Sequence, residues 1–284
     1  MVGFGLMQTT RCCECKRGNL EIWRRPITST GDRFHCCRRG NVHDACMPIV
    51  VGSSLRVLPA NERIVAVIPA LNAERSIGEV IRGARKELES VIVVDDGSTD
   101  RTSAIARTNG ATLLRHVANR GKGRALKTAF AYALQNGFDG VITLDADGQH
   151  LPSEIPKLLR ARRETMADLI IGGRSHHFEA MITRRRMANQ ISAWSIAKAS
   201  GTHVTDSQSG FRFYSANLIR NVKPRADGFA LESEVIVRAG RGGYKVLTIP
   251  IELAVVDGVS TSHYRPINDT FRIAWIVLRT TLGW

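Results

Sequence analysis

The chain has 284 residues, 43% of them hydrophobic, which suffices for one large folded domain or two small ones. Its formal net charge of +14 favours anionic partners, such as phosphates, an acidic membrane surface or nucleic acid. Only 6% of the residues are aromatic, and no basic stretch is interleaved with aromatic side chains, so we expect no nucleic-acid partner.

No segment approaches the roughly 20 apolar residues that cross a bilayer, and the longest candidate is 273–278. The amino terminus lacks a charged region, and its apolar stretch, 2–7, is too short for a secretory signal. The sequence therefore predicts a cytoplasmic protein that does not span a membrane.

All six cysteines lie in the first 46 residues. Cys12 and Cys15 have the spacing of zinc ligands. A tetrahedral zinc site could be completed by His35, His43 and Cys46. Residues 1–60 show no sustained helical or strand periodicity. We expect a disordered extension there, followed by a folded domain over residues 61–284.

Strands and helices alternate along the folded domain. Apolar runs predict buried strands at residues 64–68, 91–94, 111–115 and 140–144. A helix is predicted after each of the first three strands. The first covers residues 76–89, the second begins after a cap at Ser98 or Thr99 and ends at about residue 109, and the third covers 123–136. This alternation predicts a Rossmann-like α/β fold, a doubly wound, mostly parallel sheet flanked by helices.

Polar loops follow three of these strands, at residues 69–72, 95–98 and 145–147. Ligands bind beyond the carboxyl ends of parallel strands, so the three loops predict one site. The chain has no Gly-x-Gly-x-x-Gly after its first strand and no P-loop motif, which argues against a dinucleotide dehydrogenase or a P-loop ATPase. Bound phosphates must then be neutralised by a metal ion and by side chains.

The third loop carries candidate metal ligands. If the strand geometry continues past Leu144, the side chains of Asp145, Asp147 and Gln149 point the same way, because residues two apart share a face. Such oxygen ligands suit Mg²⁺ or Mn²⁺ bound to a substrate phosphate. The alternative is a polar turn without a metal.

The second half of the chain offers candidates for an acceptor site. A strand over 168–171 ends at Arg174, and three arginines, 184–186, open a helix that runs to about residue 200. The planar fork of arginine suits a phosphate, although a solvated helix end is an equal alternative. Glu232 and Glu234 lie at the start of a later helix, where Glu234 is a candidate catalytic base. A last apolar stripe, over 271–282, fits either core packing or a membrane-lying face.

The loops together resemble family 2 glycosyltransferases of the GT-A fold, and among them polyprenyl-phosphate sugar synthases of the dolichyl-phosphate mannose synthase type. The resemblance covers residues 64–265 and rests on six motifs in order, at 69–74, 95–100, 119–126, 144–150, 172–174 and 206–212. One departure is Ala73, where relatives often carry a second Glu, which leaves the role of Glu74 open.

The resemblance implies three groups of residues. The donor nucleotide would be bound by Pro69, Leu71, Asn72, Glu74, Asp95, Asp96, Lys122 and Asp145. The metal ion would be held by Asp145, Asp147 and Gln149, and the acceptor phosphate by Arg174, Arg185, Arg212 and Arg265. Candidates for the catalytic step are Asp147, Arg174 and Glu234.

These residues imply metal-dependent, inverting transfer of a hexose from a GDP- or UDP-hexose to a polyprenyl phosphate. The enzyme would lie peripherally at the cytoplasmic face of an anionic membrane. Two alternatives stay open: a hydroxyl acceptor, for which Glu234 would serve as base, and a non-catalytic nucleotide-binding or zinc-containing module.

Overall fold

The structure, a computed structural model, describes residues 37–38, 41–42, 62–174, 183–228 and 230–254. The chain divides into two units, Met1–Arg56 and Val57–Trp284. In the first unit, β1 (Cys37–Arg38) and β2 (Asn41–Val42) pair antiparallel. The candidate zinc ligands and the apolar stripe at 271–282 lie outside the described residues.

A mixed sheet organises the second unit. Its strands are β3 (Ile64–Ala70), β4 (Ser90–Asp95), β5 (Thr112–Arg115), β6 (Gly140–Thr143), β7 (Leu169–Gly173), β8 (Arg212–Ser215) and β9 (Val246–Pro250). The spatial order among the described strands is β5-β4-β3-β6-β8-β7-β9, with only β8 antiparallel to its neighbours β6 and β7. The predicted doubly wound, mostly parallel sheet is confirmed.

The central strand β3 shows why the apolar runs form strands. Val65 and Val67 face one hydrophobic core, whereas Ala66 and Ile68 face the other. All four side chains are fully buried, and burial of Ile68 alone contributes about 1.5–3 kcal/mol to folding. The strand runs to Ala70, two residues past its predicted end, because an extended backbone accommodates proline.

Helices cover both faces of the sheet, as predicted. In chain order they are α1 (Ile77–Glu87), α2 (Thr102–Thr108), α3 (Lys122–Gln135), α4 (Ile155–Thr165), α5 (Thr183–Ser200), α6 (Ala216–Asn221) and α7 (Ala230–Arg241). The buried residues of α1, α2 and α4 belong to one core, and those of α3, α5, α6 and α7 to the other. None of the described helices has the length and apolarity to cross a bilayer.

The topology gathers the predicted loops at one edge of the sheet. The parallel strands β3, β4, β6 and β7 all end there. Because β8 is antiparallel, it begins at this edge, where Arg212 pairs with Thr143 and Ile171. The segment before β8 therefore joins the loops that follow β6 and β7.

Candidate active site

A cluster of charged side chains lies at the centre of this edge, with Glu232 buried and Lys122 and Asp145 partly exposed. Lys122, in the first turn of α3, has its Nζ 2.6 Å from Asp145 Oδ1 and 3.4 Å from Glu232 Oε1. Burial lowers the pKa of Lys122, but the two carboxylates raise it more, and the pKa stays above its usual range. Burial likewise raises the pKa of Asp145, but Lys122 and His150 together lower it. The Lys122–Asp145 pair therefore remains ionised at neutral pH.

The Asp145 carboxylate is held by its surroundings. A Cβ added to Gly210 would lie 2.5 Å from Asp145 Oδ2, so the backbone of the segment before β8 packs directly against this carboxylate. On another side, the Asp145 N–H donates to His150 Nδ1 over 3.3 Å, and the imidazole stacks on Phe211. Burial lowers the pKa of His150, which agrees with a neutral ring whose Nδ1 accepts. Neither His150 nor Gly210 was predicted as a site residue, although both lie in the motifs at 144–150 and 206–212.

The extended geometry that would place the side chains of Asp145, Asp147 and Gln149 on one face does not continue past Leu144. Strand β6 ends at Thr143, and Gly148 turns the chain with a φ of 79°, so the loop is not extended. Across the described part of the chain, no group of three or more His, Cys, Asp or Glu side chains could hold a metal ion. Asp145 is already paired with Lys122, whereas the half-buried Asp147 accepts the Gln149 N–H at 3.0 Å. One hard carboxylate at Asp147 fits Mg²⁺ or Mn²⁺ whose other ligands are substrate phosphates and water.

The first two polar loops bind each other through the residues expected to bind the donor. Asn72 has a φ of 51°, its Oδ1 accepts the Thr99 N–H at 2.9 Å, and its N–H donates to Ser98 Oγ at 2.9 Å. Glu74 accepts the Arg101 N–H at 3.2 Å. Pro69 is half-buried near the end of β3, and Leu71 is exposed at the surface of this loop. The two loops therefore form one cross-linked unit with Leu71 facing solvent.

Asp95 is a structural residue. It is fully buried and accepts hydrogen bonds from the Ser98 N–H, at 2.8 Å, and from Ser103 Oγ. Its complete burial gives no support to the expected contact of Asp95 with the donor nucleotide. The carboxylate instead shapes the turn that leads into α2.

Asp96 holds the loop that precedes α3. Its carboxylate accepts hydrogen bonds from His116 Nδ1 at 2.6 Å, from the Arg120 N–H at 3.0 Å and from the Gly121 N–H at 2.7 Å. It is almost completely buried. These bonds fix the start of α3, which carries Lys122, and give no support to the expected contact of Asp96 with the donor nucleotide.

On the acceptor side, Arg174 and Asp206 form a two-pronged ion pair. Arg174 Nε lies 2.7 Å from Asp206 Oδ2, and the second guanidinium nitrogen, Nη2, lies 3.0 Å from Oδ1. Burial lowers the pKa of Arg174, but the fully buried Asp206 raises it more. A fifth of the Arg174 side chain stays exposed, so a guanidinium of fixed orientation reaches the surface after β7.

The prediction that Arg212 contacts an acceptor phosphate is wrong. Its side chain is fully buried, and its guanidinium donates to the carbonyl oxygens of Ser209 at 2.6 Å, Ser207 at 2.7 Å and Glu232 at 2.9 Å. These bonds tie the segment before β8 to the first turn of α7. The role of Arg212 is to hold both segments beside Lys122.

The structure brings Glu232, and not Glu234, to the site. Glu234 is buried, accepting Arg238 Nε at 2.6 Å and the Ala226 N–H at 2.7 Å. Side chains that are separated by two positions on a helix differ in direction by about 200°, so only one of the two glutamates can face Lys122. The predicted base is therefore committed elsewhere.

Two predicted arginines cannot be placed by their side chains. Arg185 lies within α5, whose side chains are described only from residue 192 onward, and Arg265 lies outside the described residues. Their contact with an acceptor phosphate stays a prediction.

Comparisons with known proteins identify the family. The model of glycosyl transferase family 2 matches residues 65–223. An uncharacterised protein of Methanocaldococcus jannaschii is 36% identical over 67% of this chain and 81% of its own. The undecaprenyl-phosphate mannosyltransferase of Micrococcus luteus is 30% identical over 66% and 82%.

Among solved structures, glucosyl-3-phosphoglycerate synthase from Mycobacterium tuberculosis with Mn²⁺ and UDP-glucose superposes with a TM-score of 0.57. The alignment covers 79% of this chain and 80% of that one at 22% identity, which confirms the GT-A fold. By its fold and by the family match across residues 65–223, the chain belongs to glycosyl transferase family 2.

Proposed function

We propose that the protein transfers a hexose from a nucleotide-diphosphate sugar to a polyprenyl phosphate, with inversion at the anomeric carbon. The observation that carries the proposal is the Arg174–Asp206 pair, which presents a guanidinium of fixed orientation beside the Lys122–Asp145 cluster. At the same time Glu234, the candidate base, is bound to Arg238. A phosphate-binding cation, together with a candidate base that is committed to another residue, suits an acceptor that is already ionised.

On the donor side, the diphosphate of a GDP- or UDP-hexose would lie between Lys122 and Asp147. Asp147, with Gln149 beside it, would hold Mg²⁺ or Mn²⁺, which supplies Lewis-acid stabilisation of the departing nucleoside diphosphate, a contribution of roughly several kcal/mol. Leu71 and the unit made by the first two loops would support the nucleoside. Asp96 acts indirectly, because it fixes the backbone that carries Lys122.

On the acceptor side, a polyprenyl phosphate oxygen attacks the anomeric carbon from the face opposite the leaving group. The new bond joins that oxygen to the anomeric carbon while the carbon–oxygen bond to the diphosphate breaks, and the nucleoside diphosphate leaves with the electron pair. A phosphate is ionised near neutral pH, so no proton has to be removed from the nucleophile. Arg174, with Arg185 and Arg265 as further candidates, would hold the phosphate in line.

An anionic membrane surface at the cytoplasmic face would supply the lipid acceptor. The net charge of +14 supports this location, at about 1 kcal/mol for each basic residue near the surface. Trp194 on α5 is 65% exposed, and Lys198 Nζ lies 5.3 Å from its ring centroid. An exposed tryptophan beside a lysine is typical of surfaces that meet lipid headgroups.

The test is a transfer assay with UDP- and GDP-hexoses, Mn²⁺, and either a polyprenyl phosphate or the corresponding polyprenol as acceptor. We expect product with the phosphate only. Arg174→Lys keeps the charge but loses the two-pronged geometry, and should raise the KM for the lipid phosphate about tenfold while the KM for the donor stays the same. Equal turnover with the polyprenol, or an unchanged KM for the lipid phosphate in Arg174→Lys, would overturn the proposal.

A further inference from the structure

Glu232 is a buried carboxylate, one oxygen of which lacks the hydrogen bond that usually accompanies burial. Its side chain is 3% exposed, and Oε1 has no hydrogen-bond partner among the residues that the structure describes. Lys122 Nζ lies 3.4 Å away, but its short contact, of 2.6 Å, is made with Asp145. Glu234, one half-turn further on, receives two hydrogen bonds of ordinary length. Glu232 is therefore poorly explained as a stabilising residue, because a buried charge without aligned partners costs free energy.

The charges around Lys122 suggest another role. Arg174 and Asp206 pair with each other and contribute no net charge between them. The remaining charged side chains of the described site are two cations and three carboxylates, namely Lys122, Arg212, Asp145, Asp147 and Glu232. These five described side chains together carry one net negative charge, although the whole chain carries +14. A diphosphate, itself an anion, is not attracted there until positive charge is added.

We infer that Glu232 neutralises Lys122 and thereby makes binding of the nucleotide diphosphate dependent on the divalent cation. The inference rests on the proposed function only in placing the diphosphate next to Lys122 and Asp147. With Glu232 present, the ammonium is shared by two carboxylates and has little attraction left for phosphate oxygens. The cation then supplies the charge that the diphosphate needs, so metal-free nucleotide is rejected.

Arg212 fits this role as the residue that positions Glu232. Its guanidinium donates to the Glu232 carbonyl oxygen at 2.9 Å, in the first turn of α7, and to the carbonyl of Ser209, next to Gly210. Gly210 in turn packs against Asp145. One buried arginine therefore fixes the backbone beside both carboxylates that share Lys122.

The experiment measures UDP and GDP binding by calorimetry, in EDTA and in Mn²⁺, for wild type and Glu232→Gln. The nucleotide that wild type binds in Mn²⁺ is the probe. We expect Glu232→Gln to bind this probe at least tenfold more tightly than wild type in EDTA, with a much smaller difference in Mn²⁺. Glu62→Gln is the matched control, because Glu62 pairs with Arg162 near the start of β3, away from the site, and should bind as wild type does.

Two further variants distinguish this role from a structural one. In Lys122→Met/Glu232→Gln the gain in EDTA should disappear, because it acts through the ammonium. Glu232→Asp keeps the charge but withdraws it by one methylene, so its metal-free affinity should fall between those of wild type and Glu232→Gln; this variant decides the question if Glu232→Gln does not fold.

Unchanged or weaker metal-free binding in Glu232→Gln overturns the inference, and so does a gain that persists without Lys122. Wild-type protein that binds neither nucleotide in Mn²⁺ also overturns it. The readout involves no acceptor, so failure of polyprenyl-phosphate transfer alone would refute the proposed function and leave this inference standing.

Discussion

Gly210 offers a sharp test of the ion cluster, because an added methyl group at this position meets the Asp145 carboxylate. The Cβ of alanine would lie 2.5 Å from Oδ2 and 2.6 Å from Oδ1, distances that real Cβ atoms do not adopt. The Asp145 carboxylate or the segment before β8 must therefore move. Overpacking of this kind costs about 1–3 kcal/mol of unfolding free energy, which corresponds to a fall in Tm of about 2–4 °C for each kcal/mol.

The larger effect of Gly210→Ala should be on activity. Moving Asp145 breaks the 2.6 Å contact with Lys122, and a displacement of about 1 Å in a reacting site costs about 100-fold in rate. We expect kcat/KM for the nucleotide sugar, in the transfer assay with Mn²⁺, to fall by about that factor.

Gly83→Ala is the control for this substitution. A Cβ at Gly83, in α1, would lie 2.7 Å from the side chain of Pro152, so alanine introduces a comparable clash between α1 and the turn that precedes α4. It should change Tm by a similar amount and leave kcat/KM within about twofold of wild type. A folded Gly210→Ala protein with the activity of Gly83→Ala would refute the view that Asp145 is held in place by Gly210.

Four further predictions follow from the site. Asp147→Asn should abolish transfer at limiting Mn²⁺ with Tm unchanged, measured by product formation and thermal unfolding; wild-type turnover would exclude Asp147 as a metal ligand. A chain that begins at Met47 should keep full kcat, and a loss of turnover with donor binding intact would show a role for the cysteine-rich extension. Glu234→Gln should lose about 1–2 kcal/mol of unfolding free energy, seen in urea, yet retain transfer, and complete loss of transfer would point to a hydroxyl acceptor. Burial raises the pKa of Asp206, but Arg174 lowers it more, so the folded-state pKa lies below the usual value. The stability that this pair contributes is therefore present above the unfolded pKa of about 3.9 and is lost as the pH falls below it. We expect Tm, recorded from pH 6 to pH 3, to fall less for Asp206→Asn than for wild type.

Most of the strands that the sequence predicts correctly are runs of mainly apolar residues. The run Val91–Val94 of β4 is one example, because a short, continuous apolar run is typical of a strand that is buried on both faces. Strand β8 was missed because it begins with Arg212. The buried guanidinium is stabilised by three carbonyl oxygens, two from the segment just before β8 and one, that of Glu232, from the first turn of α7.

The site residues divide in a similar way. The resemblance implies that Lys122 and Asp145 both lie at the donor, and in the structure Lys122 Nζ is 2.6 Å from Asp145 Oδ1. The choice between Glu232 and Glu234 depends on where α7 begins, because an error of one residue rotates the predicted face by about 100°. The sequence also cannot separate a carboxylate that meets a ligand from one, such as Asp95, that meets its own loop.

The antiparallel direction of β8 has a consequence for how the protein acquires its activity during folding. The parallel strands β3, β4 and β6 and their helices occupy the first part of the domain. The neighbours of Lys122 and Asp145 that complete the cluster, Glu232 and Gly210, arrive only when β8 has entered the sheet between β6 and β7. Both residues also follow Lys122 and Asp145 by a long stretch of chain, because Gly210 lies just before β8 and Glu232 lies in α7. A nascent chain that stops before β8 would therefore contain the nucleotide loops without a finished site, and competence for transfer would mark the completion of the whole sheet.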